Sequence, residues 1–148
     1  MSVMDIALEQ ARMAAERGEV PVGAVLLDAS GQVLARAGNR TEELHDASAH
    51  AEMLVLREAA RLRASPRLPD CDLVVTLEPC PMCAAAISAF RIRRVIFGAY
   101  DPKGGGIEHG PRLYQAPGSH ARPEVIGGVR EQEAASLLKT FFTHLREK

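Results

Sequence analysis

Cysteine is scarce in this chain, with three residues, Cys71, Cys80 and Cys83, in 148. So small and odd a number excludes a disulfide framework. The C-x-x-C spacing of two of them favours metal binding in a reducing compartment. A closed four-cysteine metal site cannot be assembled within the chain. A surplus of one charge is also absent, since 18 Lys and Arg stand against 19 Asp and Glu, for a formal net charge of −1. That balance argues against indiscriminate nucleic-acid binding and leaves room for a local basic patch. No apolar run is long enough to span a bilayer. Met1 to Arg17 lacks the basic region and apolar core of a signal peptide, and alternates charged and apolar residues at helical spacing. These absences predict a cytoplasmic protein. No repeat or linker divides the sequence, and its length suits one domain over residues 1–148 with a real core.

What is present is a succession of helical and β-prone segments. Met4, Ala7, Leu8, Ala11, Ala14 and Ala15 form a helical stripe stopped by Gly18. Val20 to Leu27 is almost continuously apolar and predicts a buried strand. Asp28-Ala29-Ser30-Gly31 turns the chain, and Gln32 to Ala37 returns as a second strand. Ala51, Leu54, Val55, Ala59 and Leu62 mark a helix, with Asp46 or Ser48 as candidate caps and Ser65-Pro66 as its end. Leu73 to Leu77 reads as a strand, and Pro81 suits the first turn of a helix running to about Phe90. Val95 to Ala99 and Val125 to Gly127 complete the strands. Between them, Tyr100 to Pro123 is rich in Gly and Pro, with a helical turn predicted at Arg112 to Gln115. Ala134, Leu137, Leu138, Phe141, Phe142 and Leu145 mark a final amphipathic helix whose stripe, both phenylalanines included, is read as core. Alternation of helices and strands implies a sheet covered on both faces.

Chemistry concentrates in two short motifs, His50-Ala51-Glu52 and Pro79-Cys80-Pro81-Met82-Cys83. Cys80 and Cys83 lie three apart at a helix start, where both sulfurs can face one ion and the partial positive charge of the helix favours thiolate. Alone, the pair reads equally as a redox couple or two buried cysteines. Alone, His50 reads as an ordinary surface or core histidine. Two residues apart in an ideal helix point to different sides, so His50 and Glu52 flank one ion only on an irregular first turn. Together the motifs offer three zinc ligands, His50, Cys80 and Cys83. Glu52 is left over as a carboxylate not needed for ligation. Three protein ligands leave a fourth position open, as in catalytic zinc sites. The combination is the H-x-E…P-C-x-x-C signature of zinc-dependent nucleobase deaminases. In that chemistry a water activated by the metal attacks an amidine carbon bearing an exocyclic amine, and Glu52 carries the protons. Cys71 is isolated and reads as a small core residue.

At this point the sequence resembles the bacterial tRNA-specific adenosine deaminases of the cytidine deaminase-like superfamily. The resemblance rests on Glu19-Val20-Pro21-Val22-Gly23-Ala24-Val25, Asn39-Arg40, Asp46 to Glu52, and Thr76 to Cys83. It continues through Arg91-Ile92-Arg93-Arg94-Val95-Ile96-Phe97-Gly98, Asp101-Pro102-Lys103 and Leu137-Leu138-Lys139-Thr140-Phe141-Phe142. It covers nearly the whole chain. The resemblance implies an α/β fold, a three-layer α/β/α sandwich with a central five-stranded mixed sheet. It also implies a homodimer with one Zn2+ per subunit. It makes His50, Cys80 and Cys83 ligands and Glu52 the proton shuttle. Asn39 would hydrogen-bond the purine, and Asp101 would contact the backbone near the flipped base. The implied reaction is hydrolytic deamination of adenosine to inosine at the wobble position of an arginine tRNA anticodon loop.

A loop base is already partly unstacked, so flipping it out is less demanding than in a duplex. Arg40 and Lys103, with Arg91, Arg93 and Arg94, are candidate phosphate contacts. For the three arginines before Val95, a solvated strand edge or a dimer rim is the plainer alternative. The chain departs from the family after Lys103, where it reads Gly104-Gly105-Gly106-Ile107-Glu108-His109-Gly110-Pro111-Arg112 rather than a small-residue run ending in serine and leucine. His109 and His120 in this loop are weak candidates for extra ligands. Two rivals share parts of this pattern. A deaminase of a free base or nucleotide would use the same zinc chemistry. A non-enzymatic zinc module would leave Glu52 without a purpose.

Overall fold

The computed structural model describes residues 2–119 and 121–147, so that His120 lies outside the described residues. Ser2 starts the first helix, α1 (Val3–Glu16). Its hydroxyl accepts the Asp5 N–H, and the Asp5 carboxylate accepts the Ser2 N–H, forming a capping box. Strands β1 (Gly23–Leu27) and β2 (Val33–Gly38) form a hairpin. Its turn is built by Asp28, whose Oδ1 accepts from Ser30 N–H, Ser30 Oγ and Gln32 N–H. Helix α2 (Ala51–Arg63), strand β3 (Asp72–Leu77), helix α3 (Pro81–Ala89) and strand β4 (Arg94–Ala99) follow. A 3-10 turn at Leu113–Gln115, strand β5 (Glu124–Ile126) and helix α4 (Glu131–Arg146) complete the order.

The five strands form one mixed sheet in the order β2-β1-β3-β4-β5. β1 pairs antiparallel with β2 and β3, while β3–β4 and β4–β5 are parallel. Side chains alternate across the pleat. Ala24 and Leu26 of β1, with Leu73 and Val75 of β3, join a cluster with Val55, Leu56 and Ala59 of α2 and Ala84 and Ile87 of α3. Val25, Leu27 and Val74 face the opposite way, onto Met4, Ala7 and Leu8 of α1 and Ala134 of α4. The result is the expected three-layer α/β/α sandwich. Among the described residues, no helix is long and apolar enough to cross a membrane.

Several elements differ from the sequence-based expectation for identifiable reasons. The first strand begins at Gly23, not Val20. Pro21 has no N–H for the ladder, and Val22 N–H bonds back to the Val20 carbonyl at 2.8 Å. Neither Ser48 nor Asp46 caps α2. Asp46 spends its carboxylate on Ser48 N–H and Oγ, and the N-cap is His50. Phe142 is not core, being 45% exposed, and Ala134 is the buried residue of α4.

Helix α1 lies unusually close to the sheet because its inner face is small. A Cβ on Gly23 would sit 1.9 Å from the Ala7 carbonyl oxygen and 2.6 Å from Ala11 N, both backbone atoms that cannot swing away. Gly23→Ala is therefore expected to destabilise the fold by about 2 kcal/mol, the scale of overpacking in a tight core, read from urea unfolding; unchanged stability contradicts this packing. At the start of α1, Arg130 and Ser2 hold the Asp5 carboxyl down to about 2, with the Arg130 side-chain hydrogen bond foremost. A depressed carboxyl adds stability above its unfolded value near 4 and loses it as pH falls toward 2. NMR titration of Arg130→Ala should show the Asp5 midpoint rising toward that unfolded value, and a midpoint left near 2 excludes this cause.

Candidate active site

The site lies at the carboxyl end of β3, where the chain turns from Leu77 through Glu78-Pro79 into α3. Crevices at this end of open α/β sheets are the usual ligand sites. Two helices begin here. His50 is the N-cap of α2, with extended backbone at φ −72° and ψ 151°. Cys80 is the N-cap of α3, also extended at φ −69° and ψ 170°. Pro81 takes the first helical position, where its missing N–H is harmless. Cys83, one turn on, donates its N–H to Cys80 Sγ at 3.5 Å. The spacing problem posed by His50 and Glu52 is solved because His50 stands outside the helix while Glu52 stands inside its first turn.

His50 Nδ1 is 3.7 Å from Cys80 Sγ and 3.6 Å from Cys83 Sγ. All three donor atoms fall within 4.8 Å of one another, the one such metal-competent group among the described residues. A tetrahedral zinc with sulfur at about 2.3 Å and imidazole nitrogen at about 2.0 Å separates nitrogen from sulfur by about 3.6 Å. The donor set and its spacing therefore fit zinc, with one coordination position to spare. Electrostatics agree. The hydrogen bond from Cys83, with further help from His50, pulls the Cys80 thiol down to about 4 against its burial. The hydrogen bond to Cys80, together with burial, pushes Cys83 up, and the Cys80 sulfur raises His50. Binding a divalent cation displaces the proton that Cys83 retains.

Glu52 is 4% exposed and stands outside the ligand trio. Burial pushes its carboxyl up to about 7, against its own backbone N–H and His50, which favour the anion. It lines a cleft of about 270 Å³ with Asn39, His50, Cys80, Glu78 and Asp101. Asn39 Oδ1 accepts the Ala51 N–H at 2.8 Å, satisfying the first turn of α2 in place of a cap. That bond leaves the Asn39 amide NH2 as the group free to meet a base.

The other predicted contacts sit further out. Lys103 lines a neighbouring surface hollow with Tyr100, Asp101 and Phe142. Arg40 is at the surface in an ion pair with Glu43 at 2.7 Å. Arg93 and Arg94 pair with Asp72 and Glu124 at the opposite end of the parallel strands from the cleft. That placement matches a solvated strand edge. His109 is not in the metal group and bonds Glu78 instead. Cys71 is buried as expected, and burial pushes its thiol up to about 11.

Two buried glutamates that brace the walls of the cleft carry no signal of that role in the sequence. Glu19, 1% exposed, accepts the N–H groups of Glu42 and Glu43 at 3.1 and 2.9 Å and so anchors the loop that follows Asn39. Glu78, 2% exposed, accepts N–H groups from Asp101, Ile107, Glu108 and His109. Burial works to raise the Glu78 carboxyl, and these donors outweigh it, holding it below the ordinary carboxylate value. Both lie inside motifs quoted above. A glutamate beside Pro and Gly gives no sequence signal of burial.

A three-ligand zinc centre beside a buried, unligated carboxylate defines a zinc-dependent hydrolytic enzyme. Residues 1–99 match the family model of the cytidine and deoxycytidylate deaminase zinc-binding region. A tRNA-specific adenosine deaminase of Agrobacterium fabrum is 54% identical over 97% of this chain and 93% of its own length. That of Bacillus subtilis is 46% identical over 98% of this chain and 89% of its own. A solved structure from a study of A-to-I editing by tRNA:A34 deaminases at the wobble position superposes with a TM-score of 0.89 at 55% identity, covering 91% of this chain and 97% of that one. The chain belongs to this zinc-dependent deaminase family, within the branch of the tRNA-specific adenosine deaminases.

Replacing His50 or Cys83 with Ala should lower zinc content to well below one per chain, measured by elemental mass spectrometry. Parental stoichiometry in both variants means the ligand set is wrong.

Proposed function

We propose that this protein deaminates the wobble adenosine of an arginine tRNA anticodon loop to inosine, working as a single deaminase domain over residues 1–148, in the cytoplasm and as a homodimer. The carrying observation is the buried Glu52 set beside, but outside, the His50–Cys80–Cys83 trio. The similar tRNA-specific adenosine deaminases support the substrate. His50, Cys80 and Cys83 hold the metal. Zinc, when bound, makes water a nucleophile at neutral pH.

The chain's own residues do the rest. Glu52 takes a proton from the attacking water and gives it to the ring nitrogen next to the reacting carbon. It then takes the remaining proton from the added hydroxyl and delivers it to the exocyclic amine, so the carbon–nitrogen bond breaks, ammonia leaves and a carbonyl remains. Asn39 donates from its free amide to the purine, its oxygen being held by Ala51. Asp101, at the cleft mouth, meets the backbone beside the flipped nucleotide. Arg40 and Lys103 lie outside the cleft at positions suited to phosphates further along the loop.

The test is inosine formation by the zinc-loaded protein on an arginine anticodon stem-loop, beside free adenosine, cytidine and guanine. Inosine in the stem-loop alone is expected. Turnover of a free base or nucleoside with an untouched stem-loop keeps the zinc chemistry and discards the tRNA. Glu52→Ala should retain zinc and fold yet lose at least about a hundredfold in kcat, the low end for general acid–base catalysis. Full residual activity removes Glu52 from its role.

A further inference from the structure

The loop after β4 carries the glycine run Gly104-Gly105-Gly106, and the structure ties that loop to one side chain. Glu78 Oε1 accepts the Asp101 N–H at 3.0 Å and lies 2.8 Å from His109 Nδ1. Glu78 Oε2 accepts the N–H groups of Ile107, Glu108 and His109 at 3.2, 2.9 and 3.1 Å. Five donors meet about four lone-pair sites, so this carboxylate has no capacity left to ligate a metal or to carry a proton. Its side chain is fully buried. The glycine run makes the fit possible. A Cβ on Gly105 would fall 2.3 Å from Glu78 Oε2 and 2.6 Å from the Asp101 carbonyl. One on Gly106 would fall 2.7 Å from the Pro81 backbone at the start of α3. The loop thus closes directly on the segment bearing Cys80, with Gly106 N–H bonded to the Pro79 carbonyl at 2.8 Å.

We propose that Glu78 is a positioning residue for substrate binding, which fixes Asp101 at the mouth of the cleft through its main chain and acts on the substrate only through it. This rests on the reading of Asp101 as a contact to the anticodon loop. Glu78→Gln keeps the size and removes one acceptor oxygen. The amide oxygen that remains serves the three main-chain donors of 107–109, and the new NH2 faces the Asp101 N–H, donor against donor. Asp101 is the residue released.

The experiment is steady-state inosine formation on the arginine stem-loop by the zinc-loaded parent, Glu78→Gln, Asp101→Ala and the double variant, with zinc content measured on each. Glu78→Gln should raise KM roughly tenfold, the scale of one lost charge-assisted hydrogen bond, with kcat falling far less and zinc at the parental level. Because Glu78 acts through Asp101, the double variant should be no worse than Asp101→Ala alone. Additive losses in the double variant, an unchanged KM, or loss of zinc each overturn the proposal. Gly105→Ala drives a methyl against Glu78 Oε2 and displaces the same loop while leaving the carboxylate chemically intact. It should raise KM in the same way, and it carries the test if Glu78→Gln fails to fold. A parent that leaves the stem-loop untouched overturns the proposed function and this inference with it. Parental turnover with an unaltered KM in the variants overturns the inference alone.

Discussion

Two helices, α2 and α3, start side by side at the carboxyl end of the central strand β3, and each offers its N-cap residue to the same point in space. An N-cap has extended backbone, so its side chain can turn toward the first helical N–H groups rather than along the cylinder. His50 and Cys80 occupy these two positions. The following turns add Glu52 from one helix and Cys83 from the other. Both helix N-termini present partial positive charge to the site, which favours thiolate and carboxylate there. The metal-binding group, the buried carboxylate and the cleft all depend on this convergence. It depends in turn on the Asn39 oxygen that satisfies the start of α2.

Around that centre the walls are loops, and loops hold position only if their main-chain groups find partners. Here the partners are buried carboxylates. Glu19 gathers the donors of residues 41–43 on the Asn39 side, and Glu78 gathers those of 101 and 107–109 on the Asp101 side. Each satisfies several amide groups that a folded loop would otherwise bury without an acceptor. The metal-competent groups thus sit at helix starts, while Asn39 and Asp101 sit beside loops braced by buried glutamates.

Much of this was legible in the sequence. The continuous apolar run through Ala24-Val25-Leu26-Leu27 announces a strand buried on both faces, and the helical stripes of α1 and α2 announce the helices that cover the sheet. The His50–Glu52 and Cys80–Cys83 spacings marked the site. What failed did so where tertiary context decides. Asp46 and Ser48 have capping chemistry but satisfy each other. Val20 is apolar like the strand it precedes, yet Pro21 removes it from the ladder. Phe142 follows the period of α4 but lines an open surface hollow with Leu77, Tyr100 and Lys103, and remains 45% exposed. The ion pairs of Arg93 and Arg94 with Asp72 of β3 and Glu124 of β5 arise only when the strands align. Glu19 and Glu78 gave no sign of burial, because the donors that hold them come from segments more than twenty residues away.

The most direct measurement is X-ray absorption at the zinc edge of the purified protein. It should show one zinc per chain, two sulfur neighbours at about 2.3 Å and lighter neighbours at about 2.0 Å. A spectrum with no sulfur shell, or with a single sulfur, would contradict the convergence of α2 and α3 on a shared metal.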